Sequence, residues 1–223
     1  MECSICGGRG FSRNTVLWPE LIEEWELSPE ETDYINRQQG ENCLSCGANL
    51  RSVVLASALS AALGTTGPLR EAIGSVKSNI LEINEAGTLH GFLSTAPNAT
   101  YAAYPEVDMQ NLPHASESFD VVIHSDTLEH IEDPIKALAE CCRVLKRGGA
   151  LCYTVPTIVG RLSRRRDTLS RSYHGAPGDG RDDHLVISEY GADMWTEPLR
   201  AGFKTVEIFS LSYPAGLAML ARK

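Results

Sequence analysis

Two cysteine pairs are the first residues able to do chemistry: Cys3-Ser4-Ile5-Cys6-Gly7 and Cys43-Leu44-Ser45-Cys46-Gly47. A gap of two residues lets both thiolates of a pair face one ion, and the glycine behind each pair lets the backbone turn tightly. Together Cys3, Cys6, Cys43 and Cys46 make a four-thiolate, tetrahedral zinc site. A site closed by four thiolates has no open position for a substrate, so its reading is structural. Knuckles of this kind also bind partners, and an interaction module is the other reading. A second stretch, Asn79-Ile80-Leu81-Glu82-Ile83 followed by Asn84-Glu85-Ala86-Gly87-Thr88, has the order of a nucleotide-binding turn. A buried strand ends in an acid and a loop follows, but that loop holds a single glycine.

These groups need a scaffold, and composition limits it. The chain has 223 residues, 43% hydrophobic and 22% charged, which suits one globular domain with a small appendage. A net charge of −9 argues against nucleic acid as a partner. The longest apolar run, Val53 to Leu63, is too short to span a membrane. No basic, then apolar, leader opens the sequence, and seven cysteines without one point to metal ligation in a reducing cytoplasm.

The elements follow from local signals. Ser28-Pro29-Glu30-Glu31 is a capping box with proline at the first helical position, and Gly40 is a stop. Asn49 caps a helix with Leu50, Val53, Val54, Leu59 and Leu63 on its apolar positions. Gly64-Thr65-Thr66-Gly67-Pro68 then reads as a linker. The expected organisation is a zinc-binding, helical module over residues 1–66 and a second domain over residues 67–223. In the second, Phe119-Asp120-Val121-Val122-Ile123 is a buried strand, and Asp133-Pro134 opens a helix ended by Gly148-Gly149. Leu151 to Val155 is the next strand, stopped by Pro156. Strand, helix and strand in alternation indicate a doubly wound α/β sheet with ligands at the carboxyl ends of its strands. Ser188 to Gly202 reads as a capped helix kinked at Pro198, with Trp195 and Leu199 in the core. Phe203 to Phe209 and Gly216 to Ala221 read as closing antiparallel strands.

Four spaced elements carry a family resemblance. Asp108-Met109-Gln110-Asn111-Leu112-Pro113, Ser118-Phe119-Asp120, Leu128-Glu129-His130 and Arg143-Val144-Leu145-Lys146-Arg147-Gly148-Gly149 stand in order. Over roughly Asn79 to Phe209 the chain resembles class I S-adenosylmethionine (SAM)-dependent methyltransferases of the LEH and RVLKPGG subgroup. The resemblance implies a Rossmann-like sheet with SAM as cofactor. Glu82 would support the methionine end through Ile83, Asn84, Ala86 and Gly87, Asp108 would accept from the adenine amino group, and Met109 would pack on the ring. His124, Ser125 and Asp126 would border the sulfonium. The acid that usually holds the ribose is replaced by Ala103 or Tyr104, so stacking on Tyr104 or contacts from Glu106 would stand in. The other reading of Asp108 is a turn residue; His130 would sit near the site or, equally, anchor its helix. The short span from Glu82 to Asp108 implies an abbreviated helix and strand.

After the fifth strand, Arg161, Arg164, Arg165, Arg166 and Arg171 mark either a solvated face or a grip on a carboxylate- or phosphate-bearing small molecule. Tyr173, His174 and His184 are the base candidates there, the histidines because they titrate near neutrality. The expected function is methyl transfer from SAM to a small anionic metabolite. Attack at another sulfonium carbon, giving methylthioadenosine, and a catalytically silent, partner-binding protein are the alternatives.

Overall fold

The computed structural model describes residues 1–173 and 184–223. Strand β1 (Phe11–Arg13) pairs antiparallel with β2 (Glu41–Cys43), and Phe11 stands opposite Cys43. Helices α1 (Pro19–Glu24) and α2 (Pro29–Gly40) lie between them. α2 begins with the expected capping box: the Ser28 hydroxyl accepts the Glu31 N–H, and the Glu31 carboxylate accepts the Ser28 N–H. It ends at Gly40, where a Cβ would sit 2.0 Å from the Asn14 carbonyl oxygen, so no side chain fits.

α3 (Leu50–Leu63) is capped by Asn49, which accepts the Ser52 N–H, and closed by Gly64 at φ 66°. It is apolar nearly all round, and such a helix needs cover on every side. One side packs on the sheet and another under the cysteine pairs, so Cys3, Ile5 and Cys6 share a core with Val53, Leu59, Val121, Ala150 and Ala218.

The chain then runs through α4 (Leu69–Ala72), β3 (Ile80–Ile83), α5 (His90–Leu93), β4 (Ala99–Ala102), β5 (Phe119–Ser125), α6 (Pro134–Val144) and β6 (Leu145–Thr154). β7 (Thr157–Ile158), β8 (Arg164–Arg165), β9 (Ser188–Gly191), α7 (Thr196–Arg200), β10 (Thr205–Leu211) and β11 (Gly216–Arg222) complete it. The main sheet has six strands in the order β10-β11-β6-β5-β3-β4. β4, β3, β5 and β6 are parallel, and the β10–β11 hairpin closes the sheet antiparallel to β6. From β3 the chain first steps outward to β4 and then returns to β5 on the other side. That reversal opens a crevice at the carboxyl ends of β3, β4 and β5. Along β5 the residues alternate: Val121 and Ile123 face the α3 side, while Val122 faces the core that holds Leu138 and Leu145. The abbreviated span is also present, since α5 is a single turn.

Two local expectations are corrected. α6 stops at Val144 rather than at the glycine pair, because β6 already begins at Leu145. Gly148 (φ 77°) and Gly149 instead serve a register shift opposite Phe119 and Val121. A Cβ on Gly149 would lie 3.0 Å from the Asp120 carbonyl oxygen. Residues 188–202 are not one helix: β9 pairs with β7 and β8, and only Thr196–Arg200 is helical. All four β9 residues are buried, so tertiary pairing overrides the local helical signal. Trp195 and Leu199 are exposed (41% and 39%) rather than core residues.

Candidate functional site

The β1–β2 ladder and two tight turns bring the cysteines together. Gly7 and Gly47, both at φ 75°, donate their N–H groups to the Cys3 and Cys43 carbonyls at 2.7 and 2.8 Å. Cys3 and Cys46 sulfurs lie 3.7 Å apart, Cys6 and Cys43 sulfurs 3.6 Å, and all four fall within 4.8 Å of one another. With Zn–S bonds of about 2.3 Å, a tetrahedral edge is about 3.8 Å, so the donor set and its spacing fit one zinc ion. Burial opposes ionisation of Cys43, but the N–H groups of Ser45 and Cys46 and the Cys6 thiol outweigh it and hold the thiol at about 7.

At the crevice, Glu82 is buried and turned back on its own loop. Its Oε1 accepts the Ala86 N–H at 2.9 Å, and His90 Nδ1 donates to Oε2 at 2.9 Å. Asn84 holds a left-handed backbone (φ 53°), a conformation asparagine tolerates better than most residues. Its Oδ1 accepts the Tyr104 N–H at 3.0 Å, and its Nδ2 reaches Thr127 Oγ1 at 3.4 Å. One side chain therefore ties together the ends of β3, β4 and β5. The lone glycine has a separate cause: a Cβ on Gly87 would meet Ser52 Oγ of α3 at 2.8 Å, and the same hydroxyl accepts the Thr88 N–H. Ile83 and Ala86 are buried beneath the loop. Tyr104 is 58% exposed beside the strand ends. Asp108 is exposed and accepts the Gln110 N–H at 2.8 Å, capping the turn that buries Met109.

β5 separates the residues that were expected to act together. His124 is completely buried, with its ring stacked on Tyr153 at 5.1 Å, away from the crevice. Neither ring nitrogen has a hydrogen-bond partner among the described residues. Ser125 hydrogen-bonds Thr154 at 2.7 Å, also buried. Only Asp126 (φ 49°) reaches the strand end, where it pairs with Arg51 of α3. Asp126 Oδ1 has no partner among the described residues. Arg51 was missed as a site residue, although an arginine inside Leu50-Arg51-Ser52-Val53-Val54-Leu55 is a charge in an apolar run and a visible signal.

Burial pushes His124 down to about 3 from an ordinary value of 6.5. The ring is neutral in the fold, while the unfolded chain gains a proton below about 6.5. Its contribution to stability is therefore complete above that pH and declines as pH falls toward 3. Urea unfolding at pH 7.5 and pH 5 should show about 2 kcal/mol of pH-dependent loss that His124→Phe abolishes. An identical slope in the variant would remove this role.

The arginine region is already satisfied from within. Arg161 pairs with Glu31 at 2.9 Å, Arg164 with Glu189 at 2.6 Å, and Arg165 with Glu132 and Asp167 at 2.9 Å. Arg166 is buried, pairs with Glu24 and Glu189, and lies over the Trp25 ring at 4.9 Å. His130 Nδ1 lies 2.9 Å from the Leu185 carbonyl oxygen and anchors that segment to the β5–α6 loop. Tyr173 is partly exposed and bridges to Leu185. His174 lies outside the described residues.

Residues 81–153 match the family described as a methyltransferase domain. The chain is 32% identical over 125 residues to a probable S-adenosylmethionine-dependent methyltransferase of Mycolicibacterium smegmatis, covering 53% of this chain and 44% of that one. It is 26% identical over 171 residues to the ubiquinone/menaquinone biosynthesis C-methyltransferase of Campylobacter jejuni, covering 69% and 72%. A SAM-dependent methyltransferase structure from Methanosarcina mazei is 12% identical with a TM-score of 0.42, covering 66% of this chain and 92% of that one. The chain spans less than half the length of the first curated relatives it matches. Among the described residues, no helix is long and apolar enough to cross a membrane. By sheet order the α/β part of the chain has the Rossmann-like class I methyltransferase fold, and residues 81–153 within it match the methyltransferase domain.

Proposed function

We propose that this chain is a SAM-dependent methyltransferase acting on a small molecule, with a structural zinc ion on Cys3, Cys6, Cys43 and Cys46. The observation that carries the reading is the reversal of strand order at the ends of β3, β4 and β5, inside the segment that matches the methyltransferase domain. When bound, SAM would supply a sulfonium methyl open to in-line attack: the acceptor atom bonds to the methyl carbon, the C–S bond breaks with its electron pair left on sulfur, and the acceptor's proton passes to solvent. Glu82 holds the Ile83–Gly87 loop in shape through Ala86 and His90. Asn84 fixes the strand ends against one another. Tyr104 offers a ring face and Asp108 an exposed carboxylate, and Asp126 Oδ1 is an acceptor without a donor among the described residues. These groups fit the cofactor without the usual ribose-binding acid, and positioning alone supplies roughly 7–11 kcal/mol of such a reaction. His124 is not placed at the crevice, and we assign no base to it. The module of residues 1–66 supports the site by bringing α3, with Arg51, against the loop.

The ion pairs of Arg161, Arg164, Arg165 and Arg166 withdraw support from an anionic acceptor. The curated relatives named above are methyltransferases, which favours neither alternative use of the fold. Replacing Asp108 by alanine should weaken SAM binding by about one to two decades, the worth of one charge-assisted hydrogen bond; unchanged affinity would move the adenine elsewhere. The reaction is tested by incubating zinc-loaded protein with SAM and a low-molecular-weight extract. Enzyme- and extract-dependent S-adenosylhomocysteine supports the reading, whereas methylthioadenosine as the product would overturn it.

A further inference from the structure

The segment leading into α1 leaves apolar side chains half-exposed: Leu17, Trp18 and Leu21 are only partly covered, and α1 buries none of its six residues. With Trp25, Leu27 and Ile35 they line one wall of a cavity of about 110 Å³. Pro156, Thr157 and Ile158, just past the Thr154 end of β6, also line it. Its polar lining includes Gln38, which is buried, donates to the Thr157 carbonyl at 3.3 Å, and accepts from Arg51 at 3.4 Å. Arg51 in turn holds Asp126 at the end of β5. The cavity thus lies at the carboxyl edge of the sheet, two side chains removed from the crevice.

Charge narrows what can enter. Residues 19–33 hold seven acids and no lysine or arginine. Glu24, Glu31 and Asp33 pair with Arg166, Arg161 and Arg13, while Glu20, Glu23, Glu26 and Glu30 stay exposed around α1 and α2. Glu20 and Glu26 are direct chain neighbours of the lining residues Leu21, Trp25 and Leu27, so an anion approaching that side meets like charge. At about 110 Å³ the cavity is smaller than the dry cavity of about 150 Å³ that takes up benzene, so a single ring is the most it can take.

We propose that this cavity is the acceptor pocket, taking the ring or short apolar body of a molecule without negative charge. The proposal rests on the methyltransferase reading and adds the substrate class to it. It is tested by calorimetric titration of the zinc-loaded full chain with p-cresol and with 4-hydroxybenzoate, which differ only by a methyl in place of a carboxylate. p-Cresol should bind saturably and at least tenfold more tightly. Leu21→Trp and Ile35→Trp, which fill the cavity from two sides, should each weaken it at least tenfold and leave SAM binding unchanged. Equal or tighter binding of 4-hydroxybenzoate, absence of p-cresol binding, or full affinity in a folded filled variant would overturn the proposal. Should one variant fail to fold, the other decides; should both, the wild-type comparison of the two phenols decides. SAM binding without p-cresol binding removes this proposal alone. p-Cresol binding without SAM binding removes the methyltransferase reading and leaves a ligand site.

Discussion

Stripping the metal from the four cysteines is expected to unfold the N-terminal part of the chain and lower the melting temperature of the rest by about 10 °C or more. Structural zinc is worth roughly 10–16 kcal/mol at neutral pH, comparable with the entire stability of an ordinary domain. β1 and β2 are three residues each and cannot hold the pairs by themselves. Cys3, Cys6 and Ile5 are part of the same core as α3 and the sheet, so disorder there uncovers Val53, Leu59 and Ala218. For a chain of this size each kcal/mol shifts the melting temperature by about 2–4 °C, so even a small transmitted fraction is visible. The ligands must be thiolates, so the ion is bound more weakly as pH falls and the stabilisation fades toward acid. The check is a melting curve and metal analysis before and after a strong chelator, with Cys43→Ser as the genetic counterpart. A metal-free chain that melts with the holoprotein would refute the assignment.

Arg51→Met is expected to cost about 3 kcal/mol or more. The guanidinium is buried in α3, and burial lowers it to about 10, still charged at neutral pH, with Glu129 opposing that shift. Removing one partner of a buried pair leaves the other without compensation, typically at 3–5 kcal/mol. Asp126 is one-third exposed, which places the loss at the lower end. The double variant Arg51→Met with Asp126→Asn should recover at least 1 kcal/mol of it, because no carboxylate is then stranded. Urea denaturation measures all three; a loss below 1 kcal/mol in the single variant would show the pair to be dispensable.

The parts of this molecule that were legible in its sequence are those set by local chemistry. The CxxCG spacing, the Ser28 capping box, the Asn49 cap and the β5–α6–β6 alternation each depend on residues within a few positions of one another. The misreadings depend on distant partners. Residues 188–191 carry a helical pattern but are a strand because β7 and β8 are there to pair with, and Gly148-Gly149 looks like a helix stop but relieves contact with Asp120. His124 stands in the right place along the chain, yet the pleat turns it inward onto Tyr153. The arginine run suggests a ligand grip only until its carboxylates, Glu24, Glu31, Glu132 and Glu189, are seen to come from four other segments. Gly87 answers to its own left-handed backbone (φ 56°) and also to the Ser52 hydroxyl of a helix 35 positions away, a contact its sequence neighbours do not reveal.

Calorimetric titration of the zinc-loaded protein with SAM, and then with S-adenosylhomocysteine, tests the central claim most directly. A loop rebuilt around Glu82 and Asn84 as a cofactor site should bind both ligands at micromolar concentration, with one site per chain. No heat from either ligand, in protein whose melting curve shows it folded, would contradict the account and leave the crevice without its cofactor.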